Sequence, residues 1–315
     1  MGQAGARPEV VAICPRYADE HFQMTMSAIQ SGTRALYVEK PFCRSLTEAD
    51  AIIAACAQRN VKCAVAHRTR YHPVLPVVAG MLKEKAIGRF LEIRARGKED
   101  ERGGPLDLWV LGSHVLNVAH HFAGKPVACS AVLLQQGRPA TRQDVKEGGE
   151  GVGPVAGNEV HARFEMESGI PVFFESIERA GSRAAGFGLQ LIGTEGIIDF
   201  RLDQEPLAQF LQGNPFLPKK EARAWVPISS AGPGKPEPIT DLMEQFKSHR
   251  LPGRDLLAAL RENRQPLCSA EDGRVTVEMI LGIFESHRLE GRRVTFPLQT
   301  RENPLTLLQG PRAPL

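Results

Sequence analysis

Apolar positions fall in short unbroken blocks along the first ninety residues, separated by stretches with a longer period. Val10-Val11-Ala12-Ile13 is continuous and β-branched, which predicts a strand buried on both faces. From Asp19 the period changes. Phe22, Met26 and Ile29 recur at i, i+4 and i+7, which predicts a helix closed by Gly32. A second apolar run, Ala35 to Val38, ends in Glu39-Lys40-Pro41. Ser45-Leu46-Thr47-Glu48 then reads as a capping box ahead of the stripe Ala49, Ile52, Ile53 and Cys56. Val61 to Ala66 is a third strand, ending at His67-Arg68.

Strand, helix, strand, helix, strand with short connections predicts a parallel, doubly wound α/β sheet. Ligands of such sheets bind beyond the carboxyl ends of the strands. Those ends carry Cys14-Pro15, Glu39-Lys40-Pro41 and His67-Arg68, so topology alone sends a lysine, a histidine and an arginine to one edge.

After a further helix over Leu75, Val78, Ala79 and Leu82, stopped near Gly88, the pattern changes. Phe90 to Arg96 alternates, as expected for a sheet with one wet face. We place a domain boundary at about residue 88, giving 1–88 as a partial Rossmann-like domain and 89–315 as an α+β domain with a mostly antiparallel open sheet. Residues 105–122 read as one helix with Leu108, Leu111, Val115, Val118 and Phe122 on its apolar side and His114 and Asn117 near the edge of that stripe. Strands are predicted at 129–134, 160–166, 172–177, 189–192 and 197–202, in hairpins through Glu167–Ile170 and Gly193–Gly196. The glycine-rich stretch 137–157 and the proline-rich stretch 205–238 read as irregular loops. Helices at about 240–249, 253–263 and 271–290 and a strand at 293–296 close the pattern.

Composition narrows the function. Among 315 residues, 39 Lys and Arg against 36 Asp and Glu leave a formal charge of +3, which excludes a strongly basic nucleic-acid binder. No apolar run approaches the roughly 18 residues of a membrane-spanning helix. The six cysteines include no CxxC pair and are expected as reduced, mostly buried thiols rather than a zinc site, Cys268 being the one outside an apolar context. His120 and His121 are adjacent on the predicted helix and point about 100° apart, so no shared metal with His114 is expected.

One string is more specific than these patterns. Val10–Pro15, His21, then Ser31–Pro41 with Ser45–Ala49 behind it, resembles the Gfo/Idh/MocA family, the glucose–fructose oxidoreductase and inositol dehydrogenase family of NAD(P)-dependent enzymes. Gly103-Gly104, Gly112-Ser113-His114, Ile192–Gly196 and Glu285–Pro297 extend the resemblance over about residues 8–298. It implies hydride transfer between NAD or NADP and a hydroxyl carbon of a sugar or polyol. It also implies a cofactor edge at Cys14, Pro15, His21, Glu39, Lys40 and Pro41, with a cis Lys40–Pro41 bond. It further implies a substrate side of His67, Arg68, Arg70 and Asn117, and a homo-oligomer formed through the second sheet. Two departures stand out. The chain starts at what resembles the family's fourth strand, without the GxGxxG turn that holds a pyrophosphate, so an N-terminally truncated member is expected and a cytoplasmic location is assigned without sight of any leader. The family's catalytic helix reads Asp-x-Gly-x-His-x-x-Asp, whereas here Val110 and Asn117 stand at the two acid positions. Asp107 is either a substitute acid one turn earlier or a helix cap.

The chemistry that the resemblance implies needs a base near neutrality, for which His114 is the candidate. It also needs a cation beside the developing alkoxide, for which Lys40 is the candidate. The competing reading is a non-catalytic relative, a binding or regulatory protein or an inactive fragment that does not hold the dinucleotide.

Overall fold

A computed structural model of the protein describes residues 8–180, 186–217 and 222–308. The first sheet has three parallel strands in the order β1 (Val10–Ile13), β2 (Ala35–Val38), β3 (Lys62–Val65), with Val10 opposite Ala35 and Ala35 opposite Lys62. Helix α1 (His21–Gln30) and helix α2 (Leu46–Arg59) make the two crossovers. A 3₁₀ turn, Ala18–Glu20, precedes α1, so the helix begins two residues later than its period predicts. Ser45 caps α2 by accepting from the Glu48 amide at 3.2 Å, but the Glu48 carboxylate takes the Arg44 amide at 2.8 Å rather than closing the box on Ser45. The α2 stripe is buried at Ala49, Ile52 and Cys56, and each large apolar side chain sealed there contributes about 1.5–3 kcal/mol.

Helix α3 (Val74–Lys83) leads to β4 (Phe90–Arg96), the first strand of a much larger sheet. A helical stretch then runs from α4 (Gly104–Asp107) through a π turn, Leu108–Gly112, into α5 (Ser113–Ala123), and is not the uniform helix that its pattern predicts. The remaining strands are β5 (Pro126–Gln135), β6 (Arg138–Pro139), β7 (Val145–Glu147), β8 (Pro154–Ala156), β9 (Glu159–Met166), β10 (Val172–Ile177), β11 (Gly188–Gly193), β12 (Gly196–Arg201), β13 (Ala208–Gln212), β14 (Val226–Ser229) and β15 (Gly232–Pro233). Helices α6 (Leu242–Lys247), α7 (Arg250–Glu262) and α8 (Ala270–Arg288) and strand β16 (Val294–Thr295) complete the chain. The large sheet runs β15-β14-β13-β12-β11-β4-β10-β9-β5-β16, with β6 beside β5. Its described neighbours pair antiparallel except β4 with β10. Strands β13 to β15 lie inside the stretch expected as a loop. Pro227 and Pro233 occupy its short outer strands, where a missing donor costs little.

The last helices return to the first sheet. Leu256 of α7 packs with Ala35 and Ala64, and α8 lies against β3, its Gly273 facing Val65 and Phe42. Residues 242–288 thus cover the three-stranded sheet, although they follow the second one in sequence. Among the described residues no helix is long and apolar enough to cross a membrane. All six cysteines are unpaired, and the exposed one is Cys14, whereas Cys268 is buried, the reverse of what their sequence contexts imply.

Two glycines make opposite predictions. A Cβ on Gly273 would lie 2.9 Å from Val65 and 3.0 Å from Phe42, whereas one on Gly80 meets nothing within 4 Å. Gly273→Leu should therefore cost about 2–3 kcal/mol in urea denaturation, and Gly80→Ala, in mid-helix, should add up to about 1 kcal/mol.

Candidate active site

Strands β1 and β2 end side by side, and one ring braces the loops that leave them. His21 is fully buried, with Nδ1 2.7 Å from the Pro41 carbonyl and Nε2 3.0 Å from that of Pro15. A neutral imidazole has one N–H and donates to one of these carbonyls at a time. Thus His21, expected as a cofactor neighbour, spends its polar atoms on the two loops. The Lys40–Pro41 bond is cis, and the Glu39 carboxylate accepts from the backbone amide of Lys40. Cys14 stands exposed at the β1 end with its thiol pKa raised, first by partial burial and then by Glu39.

Lys40 leaves its own domain. Its Nζ donates to the backbone carbonyl of Val110 at 2.9 Å. Val110 lies in the π turn, where bonding shifts from the usual i+4 spacing to i+5. The residue that stands where the resemblance expects an acid thus meets the lysine with its backbone rather than its side chain. Two imidazoles complete the cluster. The rings of His67, at the end of β3, and His114, in the first turn of α5, have centroids 5.2 Å apart at 89°. Phe187 of the large-sheet domain packs against His114 with centroids 6.5 Å apart. Neither histidine finds a partner for its buried Nδ1.

The electrostatics follow from burial. Desolvation, then the charge of Lys40, holds both His67 and His114 well below the usual histidine range, and each is neutral at physiological pH. The Lys40 ammonium is itself lowered, first by burial and then by Arg102 and Arg68, while Glu39 and Glu150 act the other way.

Glu150 was not legible as a site residue. It stands at φ 59° in the glycine-rich segment, which folds across the first sheet's edge. Gly151, at φ 65°, sits so close to Asp19 that a Cβ would fall 2.2 Å from its Oδ1. Arg16 and Glu150 pair at 3.1 Å across this junction. Beside this pair lies an open cleft of about 530 Å³ lined by Arg16, Tyr17, Glu101, Arg102, Leu106 and Glu150.

Three expected site residues point elsewhere. Asp107 is fully buried and its Oδ2 accepts from Ser176 Oγ at 2.6 Å and from the Glu99 amide at 3.2 Å; it bonds neither Lys40 nor His114, and it makes no side-chain cap. The π turn between Asp107 and His114 breaks the register that would have put both on one face. Arg70 donates to Asn117 Oδ1 at 3.2 Å, to Asp272 at 3.3 Å and to the Leu267 carbonyl at 2.8 Å. Asn117 donates in turn to Thr276 Oγ1 at 2.9 Å. Arg70 and Asn117, expected on the substrate side, thus bolt β3's exit to α5 and α8. His120 joins this network through Asn117 at 3.2 Å, and His121 packs on Phe122, so neither approaches His114 as a co-ligand.

With this geometry in hand, comparison with known proteins is informative. Residues 3–67 match the GFO_IDH_MocA model, an oxidoreductase family with an NAD-binding Rossmann fold. Over these residues the chain is similar to the Gfo/Idh/MocA family. It is 27% identical over 209 residues to levoglucosan dehydrogenase from Pseudarthrobacter phenanthrenivorans, covering 58% of this chain and 53% of that one. It is 26% identical over 135 residues to the NADP⁺-dependent scyllo-inositol 2-dehydrogenase of Bacillus subtilis, covering 39% and 37%. The chain therefore spans about half the length, or less, of the curated relatives it matches. In fold it is similar to levoglucosan dehydrogenase in complex with NADH and levoglucosan, at a TM-score of 0.71 and 22% identity over 92% of this chain and 80% of that one. It is also similar to the aldose–aldose oxidoreductase from Caulobacter crescentus with glycerol, at 0.63 and 18% over 91% and 79%.

The family's dinucleotide tests the residues present. Its nicotinamide end is suited by Lys40 beside two buried, unpartnered imidazole nitrogens. Its pyrophosphate end is not. The strand-to-helix junctions at 14–20 and 39–45 contain no glycine, so neither presents the bare backbone that a pyrophosphate approaches.

Asp107 yields a pH prediction. Burial raises its carboxyl pKa despite the bonds from Ser176 and Glu99. The folded state therefore binds this proton more tightly than the unfolded state. The contribution is fully present below the ordinary carboxyl range and is lost as pH rises from there through the raised folded value. Asp107→Asn removes that loss, so in urea titrations the variant should gain stability relative to the parent as pH rises above the ordinary carboxyl value of about 3.9. A pH-independent difference would contradict the assignment.

Proposed function

We propose that this chain acts as an NAD(P)-dependent dehydrogenase on a hydroxyl carbon of a sugar, polyol or related compound. The observation that carries the reading is the meeting of Lys40, His67 and His114 in one partly buried cluster, built from two strand ends and a helix of the following segment. The named relatives act on levoglucosan and scyllo-inositol, and the family's fold is a dinucleotide fold.

The nicotinamide supplies the hydride acceptor when bound. The chain's own residues do the rest. His114 enters neutral, because burial and the adjacent Lys40 disfavour its cation, and so has a lone pair for the hydroxyl proton. Lys40 reaches the same point with its Nζ already oriented by the Val110 carbonyl, and its ammonium stabilises charge developing on the substrate oxygen. His67 packs edge-on to His114 and restricts that ring, and Phe187 packs against it as well. In this reading Arg70, Asn117 and Asp107 hold the frame and do not touch substrate. Self-association through the outer face of the large sheet and a cytoplasmic location belong to the same proposal.

A specific pair of observations favours the second reading, a non-catalytic relative. The side chain at 110 is apolar, and the junctions at 14–20 and 39–45 offer no phosphate turn.

The two separate in solution. The 315-residue chain should bind NADH weakly, with a dissociation constant above about 100 μM by fluorescence titration. At millimolar NAD⁺ or NADP⁺ it should still oxidise a member of a sugar and polyol panel. Lys40→Ala should lower that rate by about 100-fold or more with little change in NADH affinity. Unchanged turnover in Lys40→Ala would remove the lysine from the mechanism, and no turnover by the parent chain would favour the second reading. A readout independent of turnover is the NMR titration of the His114 ring, whose midpoint should rise in Lys40→Met as the adjacent charge is lost.

A further inference from the structure

Most arginines of this protein hold a carboxylate, and Arg68 does not. Among the described residues its side chain forms no ion pair and donates no hydrogen bond. It is half-buried, and its guanidinium carbon sits 4.9 Å from the centroid of the Phe246 ring. That ring is itself fixed edge-on by His72, with centroids 5.2 Å apart. Arg70, two residues later, donates from both terminal nitrogens to Asn117, Asp272 and Leu267, so the contrast is local.

The place of this guanidinium matters more than its lack of a partner. Arg68 directly follows His67, whose ring packs on His114. Its charge is felt at Lys40, His114, Tyr37 and His249. The groups acting on His114 are Lys40, His67, Arg68 and His249, none of them acidic. Asp107 is turned to Ser176, and position 110 has no acid. Glu39 is the carboxylate on this side, and it accepts from the Lys40 amide; Glu150 is paired with Arg16. Beside the Lys40, His67 and His114 cluster, Arg68 therefore offers a planar, two-pronged donor set that no carboxylate of the described residues pairs with.

We propose that Arg68 recognises a carboxylate on the substrate, so that the site takes a sugar acid or similar polyhydroxy carboxylate in preference to a neutral polyol. A guanidinium fork matches a carboxylate through two parallel N–H···O bonds. Stacking on Phe246 holds the fork in place before binding and reduces the ordering that a flexible arginine would otherwise need. The inference rests on the dehydrogenase reading only for the position of the reacting carbon, since the carboxylate preference is a property of binding.

The test uses the 315-residue chain and two probes of one shape, D-glucuronate and D-glucuronamide, titrated by calorimetry or NMR. Glucuronate should bind about tenfold or more tightly. Arg68→Gln should bring its affinity down to that of the amide, and Arg68→Lys should restore part of the difference. If Arg68→Gln does not fold, the comparison of the two probes on the parent chain still decides. Equal affinity of acid and amide overturns the proposal, as does a preference that survives in a folded Arg68→Gln. Loss of NADH affinity in Arg68→Gln with the glucuronate preference intact also overturns it, by assigning the arginine to the cofactor's phosphates. A carboxylate preference without turnover supports this inference while the dehydrogenase reading fails. Turnover of neutral polyols with no such preference has the opposite meaning.

Discussion

A lysine ammonium held against a backbone carbonyl of another layer is the contact on which the site depends. Lys40 sits at the end of a strand only four residues long, and that strand is flanked by two others of the same length. Left in water, its amine would sweep a wide volume. The bond to the Val110 carbonyl fixes it, and the fixing is mutual because Val110 belongs to the π turn that leads into the helix of His114. One charge-assisted bond of this kind contributes about 1.5–3 kcal/mol. Its larger effect is geometric. It sets the distance between a strand end and a helix that are 70 residues apart in sequence.

Other buried polar contacts support this arrangement from the sides. His21 joins the Pro15 and Pro41 carbonyls and so controls where Lys40 begins. Arg70, Asn117, Asp272 and Thr276 lock the exit of β3 to α5 and α8 and so control where His67 ends. In each case a polar group that would be costly to bury alone is satisfied by groups from separate segments. These two ties, together with the Lys40–Val110 bond, mean that Lys40, His67 and His114 meet by construction and do not depend on any one loop.

Much of this was legible in the residues. The βαβαβ order, the strand ends and the convergence of Lys40, His67 and Arg68 follow from runs such as Val10–Ile13 and Val61–Ala66, whose two-sided burial leaves parallel pairing as the natural solution. His114 was reached through resemblance rather than through its pattern. The parts that escaped have physical causes. A π turn differs from an α turn by one residue in a helix that is apolar almost throughout, so Leu108–Gly112 gave no signal, and with it went the true direction of Asp107 and the acceptor role of the Val110 carbonyl. Strands β14 and β15 hid behind their prolines, which outer strands tolerate, and β13 lay in the same proline-rich stretch. Arg70 and Asn117 looked like substrate ligands because polar residues near a site are expected to serve it. Their partners, Asp272 and Thr276, are some 155 to 202 residues away in sequence and carry no local sign of the pairing.

The electrostatic balance of the cluster ties it to the glycine-rich segment. Burial drives the Lys40 ammonium toward losing its proton, and the carboxylates that resist this are Glu39, from the lysine's own strand end, and Glu150, from across the junction. Glu150 reaches that position because Gly149 and Gly151 flank it and Gly151 allows the chain to lie against Asp19. Its ion pair with the exposed Arg16 is worth little as a surface contact, about 0–1 kcal/mol, so it contributes almost nothing to folding. What it does is keep a negative charge near Lys40 when the two segments lie together. The charge state of the lysine is then shared between the first sheet's edge and the glycine-rich loop, and is not a property of the Glu-Lys-Pro string by itself.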